Sequence, residues 1–475
     1  MDKFSAIATI VFLVTLVMTF VVSTMGARHS KKFGSDALDG RGLNRWLVGL
    51  SAGATANSGF VVTAAVGLGY TYGLVWVLLP LSWLLGDLLF WRLFPQKINE
   101  FGRRTGVATI SQLLTFGLTG RGATRVSVLA GVVVVIFLSG YTSAQWLAGQ
   151  KFMSGAFGVP GHLALLAFAI LIVAYTAIGG FRGSVYADTF QAVIRLVSTV
   201  LAMAGIAYVI TGDIPTFQRN IDAAGPGFLS PFPEGGVAHT VLFVVGFAAA
   251  AVGFGLGQPQ LLSRYLAGAD PEETRAAKWI YISFVQFTWI AMTVFGILLK
   301  GVIPDLKDPE IGLSTFFHDR FGAIVTGIIA ADIFATIAST SNSLVVAIAQ
   351  SLKYDVLPIL STSLAKRASF ATVCLAVGAI TMVVSMVIGG SVLTLALGSI
   401  SIMGAALASP VLVRILRWPH SAASLLAAIL AGLIAAIAWR LCGFAAVLNE
   451  TIIGMAVGSV TNFIVAKQAK STTHS

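Results

Sequence analysis

Apolar residues along this chain come in long runs, and charged residues gather in the stretches between them. A helix that crosses a bilayer needs about 20 predominantly apolar residues at 1.5 Å rise each. Runs of that length lie near 4–26, 44–70, 73–94, 124–150, 161–178, 187–211, 237–262, 277–301, 321–352, 368–389, 391–415, 422–441 and 445–466. The pattern predicts an all-α membrane protein of about 13 transmembrane helices, forming one polytopic membrane domain over residues 1–475. The first run, from Phe4 to Gly26, is long enough to span and has no small-residue cleavage signal after a short core. It is therefore expected to be a retained helix and not a signal peptide.

Composition agrees: 57% hydrophobic residues, 10% charged residues and a mean hydropathy of +0.89 exceed what a soluble fold can hide from water. The two cysteines, Cys374 and Cys442, offer neither a disulfide framework nor a thiolate metal site. Six histidines, 29, 162, 239, 318, 420 and 474, show no metalloprotease spacing, so enzyme activity is not expected. Of the 30 Lys and Arg, seven (Lys3, Lys151, Arg219, Lys300, Lys307, Arg320 and Arg440) fall on one side of the membrane. Arg195 lies within it, which leaves 22 on the other side. By the positive-inside rule the N-terminus is outside and the C-terminus cytoplasmic, in the cell (plasma or inner) membrane. The net charge of +11 then belongs to loops facing the lipid bilayer, and no nucleic-acid partner is needed to explain it.

Polar residues inside the runs carry the chemistry. Asp188 lies just inside a span, followed by Gln191 and Arg195 at helical spacings. An ionisable residue there is costly unless a cation, a proton or a partner compensates it. Arg195, two turns on, is expected to neutralise Asp188 when no ion is present. The second and seventh spans are interrupted: Gly49, Gly53, Gly59, Gly67 and Gly69 with Asn57 in one, Gly253, Gly255, Gly257, Gln258 and Pro259 in the other. Two broken spans five helices apart predict an inverted repeat, about 43–211 and 237–417, with a binding site at mid-membrane. In the ninth span Asp332, Thr336 and Ser339 share one helix face, and Ser343 extends it. That face can supply oxygen ligands to a small hard cation. Ser341 and Thr340 are expected to bond back to their own helix or to hold helices together. Asp87, ahead of Arg92, is expected at the interface, paired on the cytoplasmic side, with no transport role.

Four stretches then resemble one family: Gly179–Gln191, Tyr141–Gly149, Gly253–Arg264 and the hydroxyl-rich ninth span. Together they are similar to the sodium/solute symporter family, whose members carry proline, pantothenate, monocarboxylates and sugars, over about Leu43 to Arg417. The resemblance implies the leucine-transporter-like 5+5 inverted-repeat fold, helices 2–6 and 7–11, with one N-terminal and two C-terminal extra helices. It implies Na+ as coupling ion with no organic cofactor, and a small organic solute as partner, a monomer being sufficient. Carried over by motif, the main sodium site uses carbonyls near Ala54 and Asn57 and of Asp332, with Ala335 and Thr336. Asp188 with Thr336 and Ser339 resembles a second cation position. In this fold the solute lies between the broken helices and the helix bearing Tyr141, which makes Phe60, Tyr141, Gln145, Phe254 and Gln258 the pocket candidates. Tyr141 and the Gly257–Gln260 run lean toward the proline-carrier branch, although Phe60 and Ala251 replace tryptophans expected there. Asp332 stands where relatives carry a small neutral residue, which keeps open a proton-coupled symporter on the same fold. A transporter-like membrane sensor is the other alternative.

Overall fold

The computed structural model describes residues 6–30, 37, 38, 40–232, 235–388 and 392–471; Lys3, Lys31, Lys32 and His474 lie outside the described residues. The principal helices are α1 (Ala6–Ser30), α2 (Arg45–Ala56), α3 (Ala64–Tyr72), α4 (Leu78–Leu93), α5 (Gly120–Phe157), α6 (Gly161–Gly212) and α7 (Gly236–Gly257). They continue with α8 (Pro259–Ala267), α9 (Pro271–Val302), α10 (Ala323–Ser351), α11 (Phe370–Ile388), α12 (Val392–Ile415), α13 (Ala422–Leu441) and α14 (Glu450–Ser471). No strand occurs among the described residues beyond an isolated bridge between Leu43 and Gly268.

Helix starts follow their caps. Asn44 accepts from the Leu47 N–H at 3.0 Å to open α2, and Asp270 accepts from Glu273 at 2.8 Å, ahead of Pro271, to open α9. Both satisfy backbone donors that a first turn leaves free. The two expected breaks are present. Asn57 (ψ 68°) and Ser58 (ψ −178°) leave helical geometry between α2 and the short turn Gly59–Val62. Gln258 (φ −99°, ψ 109°) separates α7 from α8, because Pro259 has no N–H with which to continue the ladder.

Among the described residues eleven helical segments are long and apolar enough to cross a bilayer, where the sequence pattern predicts about 13. Two of the eleven, Gly59–Thr105 and Gly161–Gly212, each take in residues of two expected crossings. Contacts explain the difference. Before Gly180, α6 runs alongside α10 in the same direction: Phe168 meets Phe334, Tyr175 reaches Ala338 and Thr176 reaches Asn342. After it the order inverts, with Asp188 against Ser343 and Arg195 against Asp332. The chain turns back at Gly180, whose φ of 60° and ψ of −158° only glycine adopts readily. Gly73 (φ 75°) does the same for the other segment: Gly53 packs on Phe284 and Asn57 on Thr288, whereas beyond it Trp83 meets Trp289 and Trp91 meets Tyr281.

Large apolar side chains point outward in stripes spaced three to four residues apart, such as Ile7, Ile10, Val14 and Val17 on α1 and Leu81, Leu85 and Leu89 on α4. In water such patches would drive association; in lipid they face a matching solvent. At the centre stands α10, in which every residue from Ile329 to Ser351 is buried.

Candidate functional site

Where α2 ends, its last carbonyls leave the helical ladder and α10 receives two of them. Ser339 Oγ donates to the Ala54 carbonyl at 3.2 Å and Thr340 Oγ1 to the Thr55 carbonyl at 3.1 Å. Ser339 also lies 3.1 Å from the Thr336 carbonyl. The structure thus brings Ala54, Thr336 and Ser339 together, with Ala335 buried beside them on the same helix. Of the two expected uses of such hydroxyls, Thr340 joins helices by holding the break, and Ser341 bonds back, to Ile337 at 2.7 Å. The Asn57 side chain donates to Thr288 on α9, and Gln145 Oε1 accepts from the Gly59 N–H at 3.2 Å. Carbonyl and hydroxyl oxygens of this kind suit a small hard cation.

Two buried ion pairs flank this junction, and their pairing differs from that expected. Arg195 Nη1 meets Asp332 Oδ2 at 2.6 Å, both side chains being buried. Thr336 Oγ1 donates to Asp332 Oδ1 at 3.2 Å. Arg195 is therefore not the partner of Asp188. Seven residues place it about 10 Å further along the helix, level with Asp332 on the antiparallel α10. Asp188 is held instead by Arg264 at 2.9 Å, each side chain fully enclosed. Ser51 at 3.0 Å, Thr55 at 3.4 Å and Ser343 at 3.1 Å donate to the same oxygen, Asp188 Oδ2. The hydroxyls around Asp188 thus come from Ser51, Thr55 and Ser343, and not from the expected Thr336 and Ser339. Arg264 was legible only as one more basic residue in a loop; it lies on α8 directly after the second break, over the Phe181 ring at 5.4 Å. Asp87, expected at the interface, is buried, and it forms no ion pair among the described residues.

Beside Asn57 and Ser58 lies a cavity of about 40 Å³. Phe60, Tyr141 and Phe254 line it, joined by Trp83 and Trp289, which the sequence pattern does not single out. The rings form a chain: Phe60 to Trp289 at 5.6 Å, Trp289 to Trp83 at 5.7 Å and Trp83 to Phe254 at 5.4 Å between centroids. Edge-to-face geometry at such distances is favourable. Gln145 and Gln258 do not line the cavity. Gln145 caps the break, and Gln258 donates to the Ile400 carbonyl at 3.1 Å while accepting from Gln260 at 2.9 Å. Among the described residues no ionisable side chain apart from the Tyr141 phenol lines the cavity, whose volume admits a few waters. Any larger guest requires the ring walls to part.

Helices broken at mid-bundle, a hydroxyl-lined helix holding one break and an aromatic chamber beside it define a helical membrane protein of the leucine-transporter-like fold. The chain belongs to the sodium:solute symporter family, whose profile matches residues 37–432. Among curated relatives it is similar to the osmoregulated proline transporter OpuE of Bacillus subtilis, 26% identical over 327 residues, 67% of this chain and 64% of that protein. It is likewise 26% identical to sodium/proline symporter 2 of Staphylococcus saprophyticus, over 67% of this chain and 62% of that one. The match thus spans less than two thirds of either relative. Among solved structures, a Na+-coupled sialic acid symporter in a substrate-bound outward-open state superposes with a TM-score of 0.80 at 18% identity, over 98% of both chains. MhsT in complex with L-phenylalanine gives 0.56 at 15% identity, over 90% of this chain and 98% of the other. Members of this family are transporters, not enzymes.

Proposed function

We propose that this protein is a secondary active symporter that couples inward sodium movement to uptake of a small organic solute by alternating access. The observation that carries the reading is the junction at the first break, where Ser339 holds the Ala54 carbonyl next to a ring-walled chamber. Sodium bound by carbonyls near Ala54 and Asn57, with oxygens of Asp332, Ala335 and Thr336, would hold α2 against α10 and order the chamber. Ordering by one ligand lowers the cost of binding the other, and this coupling is reciprocal. Asp188 marks a second cation position, with Ser339 and Arg195 acting on the central junction instead. The two five-helix units, about 43–211 and 237–417, move against each other around this point, with the N-terminus outside.

The solute class is a proline-like amino acid or a small carboxylate. Aromatic walls with few polar groups suit a compact solute with an apolar body, and the Bacillus subtilis and Staphylococcus saprophyticus relatives are proline transporters. Phe60, Tyr141 and Phe254 contact it, together with Trp83 and Trp289. The test is uptake of labelled proline into proteoliposomes under an inward sodium gradient, against a panel of amino acids, carboxylates and sugars. Accumulation is expected with sodium and is expected to vanish with choline. Accumulation driven by a pH gradient without sodium would overturn the assignment in favour of proton coupling.

A further inference from the structure

A second set of unfilled oxygens lies far from the break. At the end of α10 the helix widens into a π turn, Leu352–Val356, a local change of register that often accompanies a binding site. It carries Asp355, which is 3% exposed. Thr109 Oγ1 donates to Asp355 Oδ1 at 2.7 Å. Thr109 caps the short helix Ile110–Thr115, and Ser111 of that helix and Ser351, one turn before Asp355, stand around the same carboxylate. Asp355 Oδ2, Ser111 Oγ and Ser351 Oγ are all buried without a hydrogen-bond partner.

Nor do the described residues supply a cation. Asp355 is in no ion pair among the described residues. Lys353 is turned away to the Ala368 carbonyl at 2.6 Å. Arg414 on α12 gives its donors to the carbonyls of Leu113 and Phe116 and to His420. A buried carboxylate with neutral hydroxyls around it but no counter-charge is costly. One carboxylate with neutral hydroxyls balances a single positive charge, whereas a divalent ion would leave a buried net charge.

We propose that Asp355, with the hydroxyls of Thr109, Ser111 and Ser351, binds a monovalent alkali cation that fastens the helix Ile110–Thr115 to the end of α10. This site is distinct from the junction at the break, since Asp355 lies about 28 Å beyond Thr336 along a helix rising 1.5 Å per residue. It is independent of which solute is carried.

Hydrogen exchange on the purified full-length chain in detergent tests it, with NaCl or KCl replaced by N-methylglucamine chloride at equal ionic strength. Sodium or potassium is expected to slow exchange over residues 106–118 and 351–360 by about tenfold, local opening being what such exchange reports. In Asp355→Asn that slowing disappears, while any sodium-dependent protection at residues 54–63 persists. Should Asp355→Asn fail to fold, the uncharged double variant Ser111→Ala/Ser351→Ala serves, with an expected rise of about tenfold in the half-protecting cation concentration, or 1.4 kcal/mol. Absence of alkali dependence in the unaltered protein overturns the proposal. So does dependence that survives in Asp355→Asn, or protection by Mg2+ or Ca2+ in place of the alkali ions.

Discussion

Asp332 and Arg195 meet at 2.6 Å with almost no access to water, so neither charge has any other source of compensation on that side. Removing one partner strands the other, at a cost of about 3–5 kcal/mol for a buried pair, whereas replacing both by apolar residues is often neutral. Arg195→Leu and Asp332→Leu are each expected to lower the melting temperature in detergent, and the double replacement to restore most of it; strictly additive losses would contradict the pairing. Asp87 provides the contrast. With no cation in an ion pair beside it, Asp87→Asn is expected to keep unfolding stability within about 1 kcal/mol of the unaltered protein or to raise it, because it removes an uncompensated buried acid. The sequence made these acids conspicuous, since a carboxylate amid apolar residues is conspicuous in any single chain. It did not reveal their partners. Arg264 is 76 positions from Asp188 and looks like a loop residue, and only the packing of α8 against α6 and α10 encloses it.

Elements were legible where local chemistry alone decides them. Asn57–Ser58 and Gln258–Pro259 interrupt helices for reasons written in a few adjacent residues, and both interruptions occur where expected. The reversal at Gly180 was legible as a gap between two apolar runs, although the helical backbone continues on both sides of it and merges them into one segment. Gly180→Ala forces a side chain into a backbone region that costs about 1–3 kcal/mol. The expected readout is lower thermal stability with faster proteolysis near residue 180; a variant indistinguishable from the unaltered protein would show that the turn relaxes elsewhere. For Thr340 only the choice was not legible, because a hydroxyl in lipid can bond back to its own helix or reach across, and which it does depends on the neighbour's unpaired carbonyl.

For the whole molecule, hydropathy runs and a handful of motifs sufficed to place the chain in its family and fold. The chamber was only half legible. Phe60, Tyr141 and Phe254 sit on or beside the breaks, but Trp83 and Trp289 arrive from α4 and α9 through tertiary packing that no local pattern encodes. Their size sets the chamber. Trp83→Ala removes a wall shared with Phe254 and Trp289 and is expected to broaden the range of solutes that compete for uptake while weakening proline. An unchanged competition profile would place the solute elsewhere.

The pairing of each core arginine with a core aspartate has a consequence for energetics under voltage. An unbalanced charge carried through a membrane at 100 mV exchanges about 2.3 kcal/mol with the field. Arg195 cancels Asp332 and Arg264 cancels Asp188 from within the chain, so in the proposed transport cycle these four residues contribute no gating charge. Any voltage dependence of the ion-free state is then left to charges outside the two pairs, such as the buried Asp87.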